Sequence, residues 1–180
     1  NANGKDVIAE PTKTWIKKDN YRVQVFPCKT IGDYKLSLSI TQWLFQHVRD
    51  YDIVQTNAIF SVPNLPAYLA CRWNNIPHVV IPRGMLEPWA LSYKAGKKKI
   101  YYNLFEKPAL QRASALQMLA STEAQQIHPL NLQSPLIISP NGIHRQDFEI
   151  LPKGDKSQIG EKVMDSQFSA QAVQFHRYLY

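Results

Sequence analysis

Four short runs, "YDIVQTN", "HVVIP", "ALQML" and "PLIIS", alternate with stretches whose apolar residues recur every three or four positions. Each run is too short for a helix, and its apolar residues suit a buried strand. Parallel neighbours in a sheet need a crossover, and a crossover of this length is a helix. The expected class is therefore α/β, a parallel sheet with helices on both faces. A further strand is expected at "YRVQVFP", which alternates around Val23 and Val25 and stops at a proline.

The helical stretches are equally legible. Leu36, Ile40, Trp43, Leu44, His47 and Val48 share one face of an amphipathic helix. "LPAYLACRWNN" reads as a second, with Asn74 and Asn75 as its stop signal. A long pattern carries Ile100, Tyr101, Leu104 and Phe105 on one side, and Pro108 is expected to kink or break it near Lys107. Thr122 followed by Gln125 reads as a capping box. After about residue 150 the periodicity fails, so residues 1–150 read as the folded unit and 151–180 as a linker and irregular tail.

In open parallel sheets ligands bind beyond the carboxyl ends of the strands. Four such exits are visible: Asn57, Pro82-Arg83-Gly84, Ser121-Thr122-Glu123 and Pro140-Asn141-Gly142. At the second, Gly84 would let backbone N–H groups approach a ligand and Arg83 offers a fork for carboxylate, phosphate or hydroxyl groups. An ordinary turn glycine beside a solvated arginine fits the same letters. Glu87 could accept from hydroxyls, with Trp89 and Leu91 anchoring the loop. It could equally be an acidic first turn of a helix.

Composition narrows the partners. The 180 residues hold 21 Lys and Arg against 14 Asp and Glu, a formal charge of +7 that suits anionic ligands or surfaces. Lys94, Lys97 and Lys98 share a helical face near Tyr101 and Tyr102, which is either a membrane-facing patch or a solvated face. Beyond that helix no basic and aromatic residues interleave, so no nucleic acid is expected as a partner. Cys28 and Cys71 are too few for a disulfide framework and read as inert thiols in a reducing compartment. The five histidines lack ligand spacing, so no metal is expected. Dinucleotide, P-loop and nucleophile-elbow signatures are missing as well.

Taken together, "IPHVVIPRGMLEPWALSYKAGKKKIYYNLFEKPALQRASALQMLASTEAQQI" and "PLIISPNGI" resemble the amino-terminal domain of glycosyltransferase family 4, the group 1 glycosyl transferases. The likeness runs from about Asp52 to Ile143 and more weakly back to the first residues. It implies the Rossmann-like amino-terminal half of a GT-B enzyme that transfers a sugar from a nucleotide donor, with retention, to a glycan or lipid-linked acceptor, as in polysaccharide biosynthesis. The donor is then a substrate, and no cofactor is implied. Residues implied to line the acceptor side are Arg83, Gly84, Glu87, Thr122, Glu123, Asn141 and Gly142. Many members carry His where this chain has Arg83, so a cleft-lining role passes to Arg83 and no catalytic residue is assigned. The family's first strand, its glycine-rich loop and the donor domain have no counterpart here, which reads as a fragment expected to be inactive alone. A cytoplasmic place is expected, peripheral to the inner face of the membrane. The rival readings are a non-enzymatic basic binding module and an inactive remnant.

Overall fold

The computed structural model describes residues 2–3, 6–7, 11–18, 20–31, 34–92, 95–142 and 174–176. Three small antiparallel ladders come first: β1 (Ala2–Asn3) with β2 (Asp6–Val7), β3 (Trp15–Lys17) with β4 (Arg22–Gln24), and β5 (Lys29–Ile31) with β6 (Tyr34–Leu36). The run "YRVQVFP" does form a strand, but it pairs with β3 and stays outside the main sheet. Its residues are exposed or half-buried, whereas an interior parallel strand is covered on both faces. The β3–β4 ladder instead leans on Trp43, whose ring meets Trp15 at 6.0 Å and Phe26 at 5.6 Å between centroids.

Trp43 belongs to α1 (Leu38–His47), which is capped by the Ser37 hydroxyl accepting from the Ile40 N–H. The helix runs on into a 3₁₀ turn at Val48–Asp50 and delivers the chain to the main sheet. That sheet contains β7 (Ile53–Asn57), β8 (His78–Ile81), β9 (Ala115–Met118) and β10 (Leu136–Ile138), parallel and in sequence order. A fifth strand, β11 (Gln174–His176), pairs antiparallel with β7. It lies inside the stretch expected to be irregular. The rest of residues 151–180, and with it the expected linker, lies outside the described residues.

Helices flank this sheet and make its crossovers. α2 (Asn64–Asn74) joins β7 to β8 and stops at Asn75, whose φ of 56° is the left-handed cap that its asparagine suits. Between β8 and β9 come α3 (Pro88–Ser92), α4 (Ala95–Tyr101), one π-helical turn (Tyr102–Glu106) and α5 (Lys107–Gln111). Pro108 was expected to kink or break this run near Lys107; the helix is not broken, and the irregularity there is the π turn that ends at Glu106. The Lys107 N–H reaches back five residues to the Tyr102 carbonyl, and this widened turn accommodates a ring that lacks an N–H and would crowd a regular helix. α6 (Ser121–Ile127) joins β9 to β10. Its N-cap is Ala120, with no side-chain cap bond, so the capping box expected at Thr122 is not formed.

The register sets the core. Val54 lies opposite His78, Thr56 opposite Val80, Val80 opposite Leu116 and Leu116 opposite Leu136, so one face of the sheet is shared by these side chains. Val80, Leu116 and Met118 pack with Leu86, Leu110 and Ile127; Val54 packs with Leu44, Val48, Ala67, Ala70 and Cys71. Each fully buried Leu or Ile contributes about 2 kcal/mol of hydrophobic stabilisation. Cys71 is 1% exposed and burial pushes its thiol up to about 12, which fits the inert thiol expected there. All the parallel strands point the same way, so their exits share one edge.

Candidate functional site

At that edge Arg83 ties three strands together. Its Nε–H and an Nη2–H donate to the Asn57 side-chain oxygen at 3.0 and 2.7 Å, and an Nη1–H donates to that of Asn141 at 3.4 Å. The exits of β7, β8 and β10 are thus linked through one guanidinium. Arg83 carries five N–H donors, and three are used this way. The rest have no partner among the described residues, and the side chain is half-buried. Its backbone is left-handed, with φ of 54°, a conformation that costs a non-glycine residue roughly 1–2 kcal/mol. Strain of that kind persists where the surroundings over-determine it, and the three hydrogen bonds are such surroundings.

Gly84 continues the left-handed turn at φ 71°. A Cβ there would meet Glu87 Oε1 at 3.4 Å, so the demand for glycine comes from the backbone conformation more than from crowding. The Gly84 N–H does not face an open cleft. It donates to Glu123 Oε1 at 2.6 Å, while Glu123 Oε2 accepts from the Leu119 N–H at 2.7 Å. Glu123 is 5% exposed and clips the β8 exit to the β9 exit. The family resemblance implied that Glu123 lines the acceptor side; its carboxylate is internal. Leu86, 1% exposed, anchors the turn on the core. Trp89, expected to do so, has its side chain outside the described residues, and Leu91 is half-buried.

The remaining sequence candidates are less engaged. Glu87 is half-buried beside Gly84, and its N–H donates to the Gly84 carbonyl at 3.1 Å. Thr122 is exposed in the first turn of α6. Asn141 and Gly142 are exposed at the β10 exit, and nothing at Gly142 demands a glycine. Lys94, together with the side chains of Lys97 and Lys98, lies outside the described residues. Arg83, Gly84, Glu87, Glu123 and Asn141 therefore converge.

Two features of the edge escaped the sequence reading. One is the Asn57 side chain, 4% exposed, which was read only as the end of a strand. The other is Glu106, which entered only as one letter of the family pattern. It is 8% exposed and accepts from the Phe60 N–H at 2.7 Å. Burial pushes its carboxyl up to about 7, and the Phe60 hydrogen bond offsets part of that rise. A lone acid among Tyr102, Leu104, Phe105 and Leu110 was the available signal.

Beneath the β7 exit lies a cavity of about 20 Å³, room for about one water. Thr56, Asn64, Tyr68, His78 and Glu106 contribute its polar lining. His78 Nε2 meets the Thr56 hydroxyl at 3.0 Å, its Nδ1 has no partner among the described residues, and burial lowers its pKa to about 4. A larger cleft of about 270 Å³ opens at the opposite edge around Arg72, Asn75, Arg112 and Ser114. Both arginines there sit at helix carboxyl ends, Arg72 in the last turn of α2 and Arg112 at the end of α5. A cation is favoured at such ends without any ligand.

Comparison with known proteins identifies a family. The profile of the family described as Glycosyltransferase Family 4 matches residues 4–147, which takes in both the stronger likeness from Asp52 to Ile143 and the weaker one toward the first residues. No curated protein and no solved structure matches the chain.

Proposed function

Because this chain belongs to glycosyltransferase family 4, we propose that its Arg83 edge forms the acceptor wall of a sugar-transfer cleft. It is a glycosyltransferase-like domain, and sugar donor and acceptor are its general substrate classes. In our reading the donor is a nucleotide sugar, the acceptor a glycan or lipid-linked sugar, and transfer proceeds with retention. Residues 1–150 serve as the acceptor-side unit. The single observation that carries the assignment is the Arg83 fork, which joins three strand exits and leaves further N–H donors beside the Asn57 and Asn141 amides. Sugar hydroxyls, which both donate and accept, suit such a mixed set. No catalytic residue is named within this chain.

The second proposed partner is an anionic membrane surface at the inner face. Among the described residues Ile100, Leu104 and Phe105 are 64, 62 and 41% exposed beside the exposed Lys99. Apolar side chains flanked by lysines suit an interface that presents both acyl carbon and phosphate. No helix among the described residues is long and apolar enough to cross a membrane.

The acceptor reading is tested by saturation-transfer NMR of the chain against a panel of neutral mono- and oligosaccharides, at low and high salt. Binding that persists in salt and disappears in Arg83→Ala, with circular dichroism unchanged, is the expected result. Affinity confined to polyanions and falling steeply with salt would favour the basic binding module instead. Saccharide binding undiminished by Arg83→Ala would remove the Arg83 edge from the site.

A further inference from the structure

The loop after β7 is held in an unfavourable shape by a side chain far away in sequence. Ala58 and Phe60 both have left-handed backbones, with φ of 65° and 58°. The Asn64 side-chain amide donates to the Ala58 carbonyl at 2.8 Å and more weakly to that of Asn57 at 3.4 Å. From the other side Glu106 accepts from the Phe60 N–H across 46 residues of chain. The same loop begins with Asn57, whose side-chain oxygen seats the Arg83 guanidinium. An unbroken run of contacts thus leads from the buried acid to the cleft wall.

A carboxylate is an expensive choice for that post. A glutamine oxygen could accept the Phe60 N–H without burying a charge. The acid is presented by a π-helical turn, an irregularity often found at functional positions. Other titratable groups face it: Tyr68 from α2, His78 from β8, and Tyr101 and Tyr102 from its own segment. Among the described residues no Lys or Arg lines the cavity. Burial keeps His78 neutral, near 4, and raises Tyr102 through burial and then through the charge on Glu106. The titration near neutrality in this cavity therefore belongs to Glu106.

We propose that Glu106 is a proton-sensitive positioning residue of the cleft: ionised, it holds the Phe60 loop in its left-handed form and so fixes the Asn57 oxygen on which Arg83 is seated. Protonation weakens the acceptor, loosens the loop and lets the Arg83 fork shift. The cleft role of Arg83 rests on the acceptor-wall reading above; the coupling between the two sites does not.

The test is nitrogen-edited NMR of the chain, following the Phe60 amide and the Arg83 Nε–H between about pH 5.5 and 8.5. In the wild type both signals should move with one shared midpoint near 7, and in Glu106→Gln neither should move over that range. If Glu106→Gln does not fold, ¹³C-labelled glutamate in the wild type reports the Glu106 midpoint directly, and the other two must coincide with it. A Phe60 amide that titrates while Arg83 stays still would reduce Glu106 to a local tie and overturn the proposal. So would an unchanged titration in Glu106→Gln. Shared midpoints without any saccharide binding would sink the acceptor reading and leave the coupling standing. Saccharide binding without shared midpoints would do the reverse.

Discussion

Glu123 and Glu106 are buried carboxylates with opposite consequences for the molecule. Glu123 accepts two backbone N–H groups, one from each of two strand exits. An amide side chain has one acceptor oxygen, so Glu123→Gln must turn an NH₂ group toward either Gly84 or Leu119. We expect a loss of about 2–3 kcal/mol in urea unfolding, the cost of stranding a buried donor that had a charged partner. A loss below 0.5 kcal/mol, within the range of ordinary surface changes, would mean that water replaces the lost acceptor. Glu106 has one such donor and a pKa raised from 4.5 to about 7 by burial. Because the folded value lies above the unfolded one, its contribution is fully present below about pH 4.5 and fades as pH rises through 7. The difference of roughly 2.5 units corresponds to about 3 kcal/mol. The wild type should therefore lose about that much stability relative to Glu106→Gln between pH 4.5 and 8, measured by urea unfolding at both ends. Parallel pH curves for the two proteins would show that Glu106 is solvated.

At the scale of elements, the stretch from α4 through the π turn to α5 combines two demands. Its inner side carries Glu106, Ala109 and Leu110, all buried; its outer side leaves Ile100 and Leu104 largely exposed. Ordinary amphipathic patterning would put those two residues in the core, and the widened turn before Pro108 is where the helix changes its presentation. Exposed apolar side chains alone are common, but here they accompany a lysine run. With about 1 kcal/mol for each of Lys94, Lys97 and Lys98 near an anionic surface, three charges give roughly a hundredfold in partitioning. Changing those three to Gln should cut co-sedimentation with anionic vesicles by that order and leave neutral vesicles unaffected. Leu104→Ser should weaken binding to anionic vesicles as well. Equal binding by wild type and the lysine variant would leave the run as a solvated face.

For the whole molecule, sheet position sets local stability. β8 and β9 are flanked by strands on both sides and buried at most positions, while β10 is an edge with Leu136, Ile137 and Ile138 44, 48 and 55% exposed. Amide exchange should be slowest at positions such as Val80 and Leu116 and several orders faster in β10, because opening an edge exposes little new apolar surface. Comparable protection in β10 would mean that its exposed face is covered in solution. The four parallel strands, α1 and α2 were legible in the chain, since each depends on local periodicity and on punctuation such as Asn74-Asn75, whereas α6 was signalled by a capping box that does not form. "YRVQVFP" was legible as a strand but not as an outsider to the sheet, because alternation says which residues pair well and not with whom. The edge itself was legible too, because parallel strands place their exits together whatever their side chains are. What the letters alone determined were the α/β class, the flanking helices and the shared edge on which Arg83 and Gly84 sit. Only the tertiary structure decided that Glu123 is a clip, that Glu106 holds the Phe60 loop and that Arg83 is seated on Asn57. Those contacts join residues 39, 46 and 26 positions apart, separations that no local pattern of turns or apolar spacing can encode.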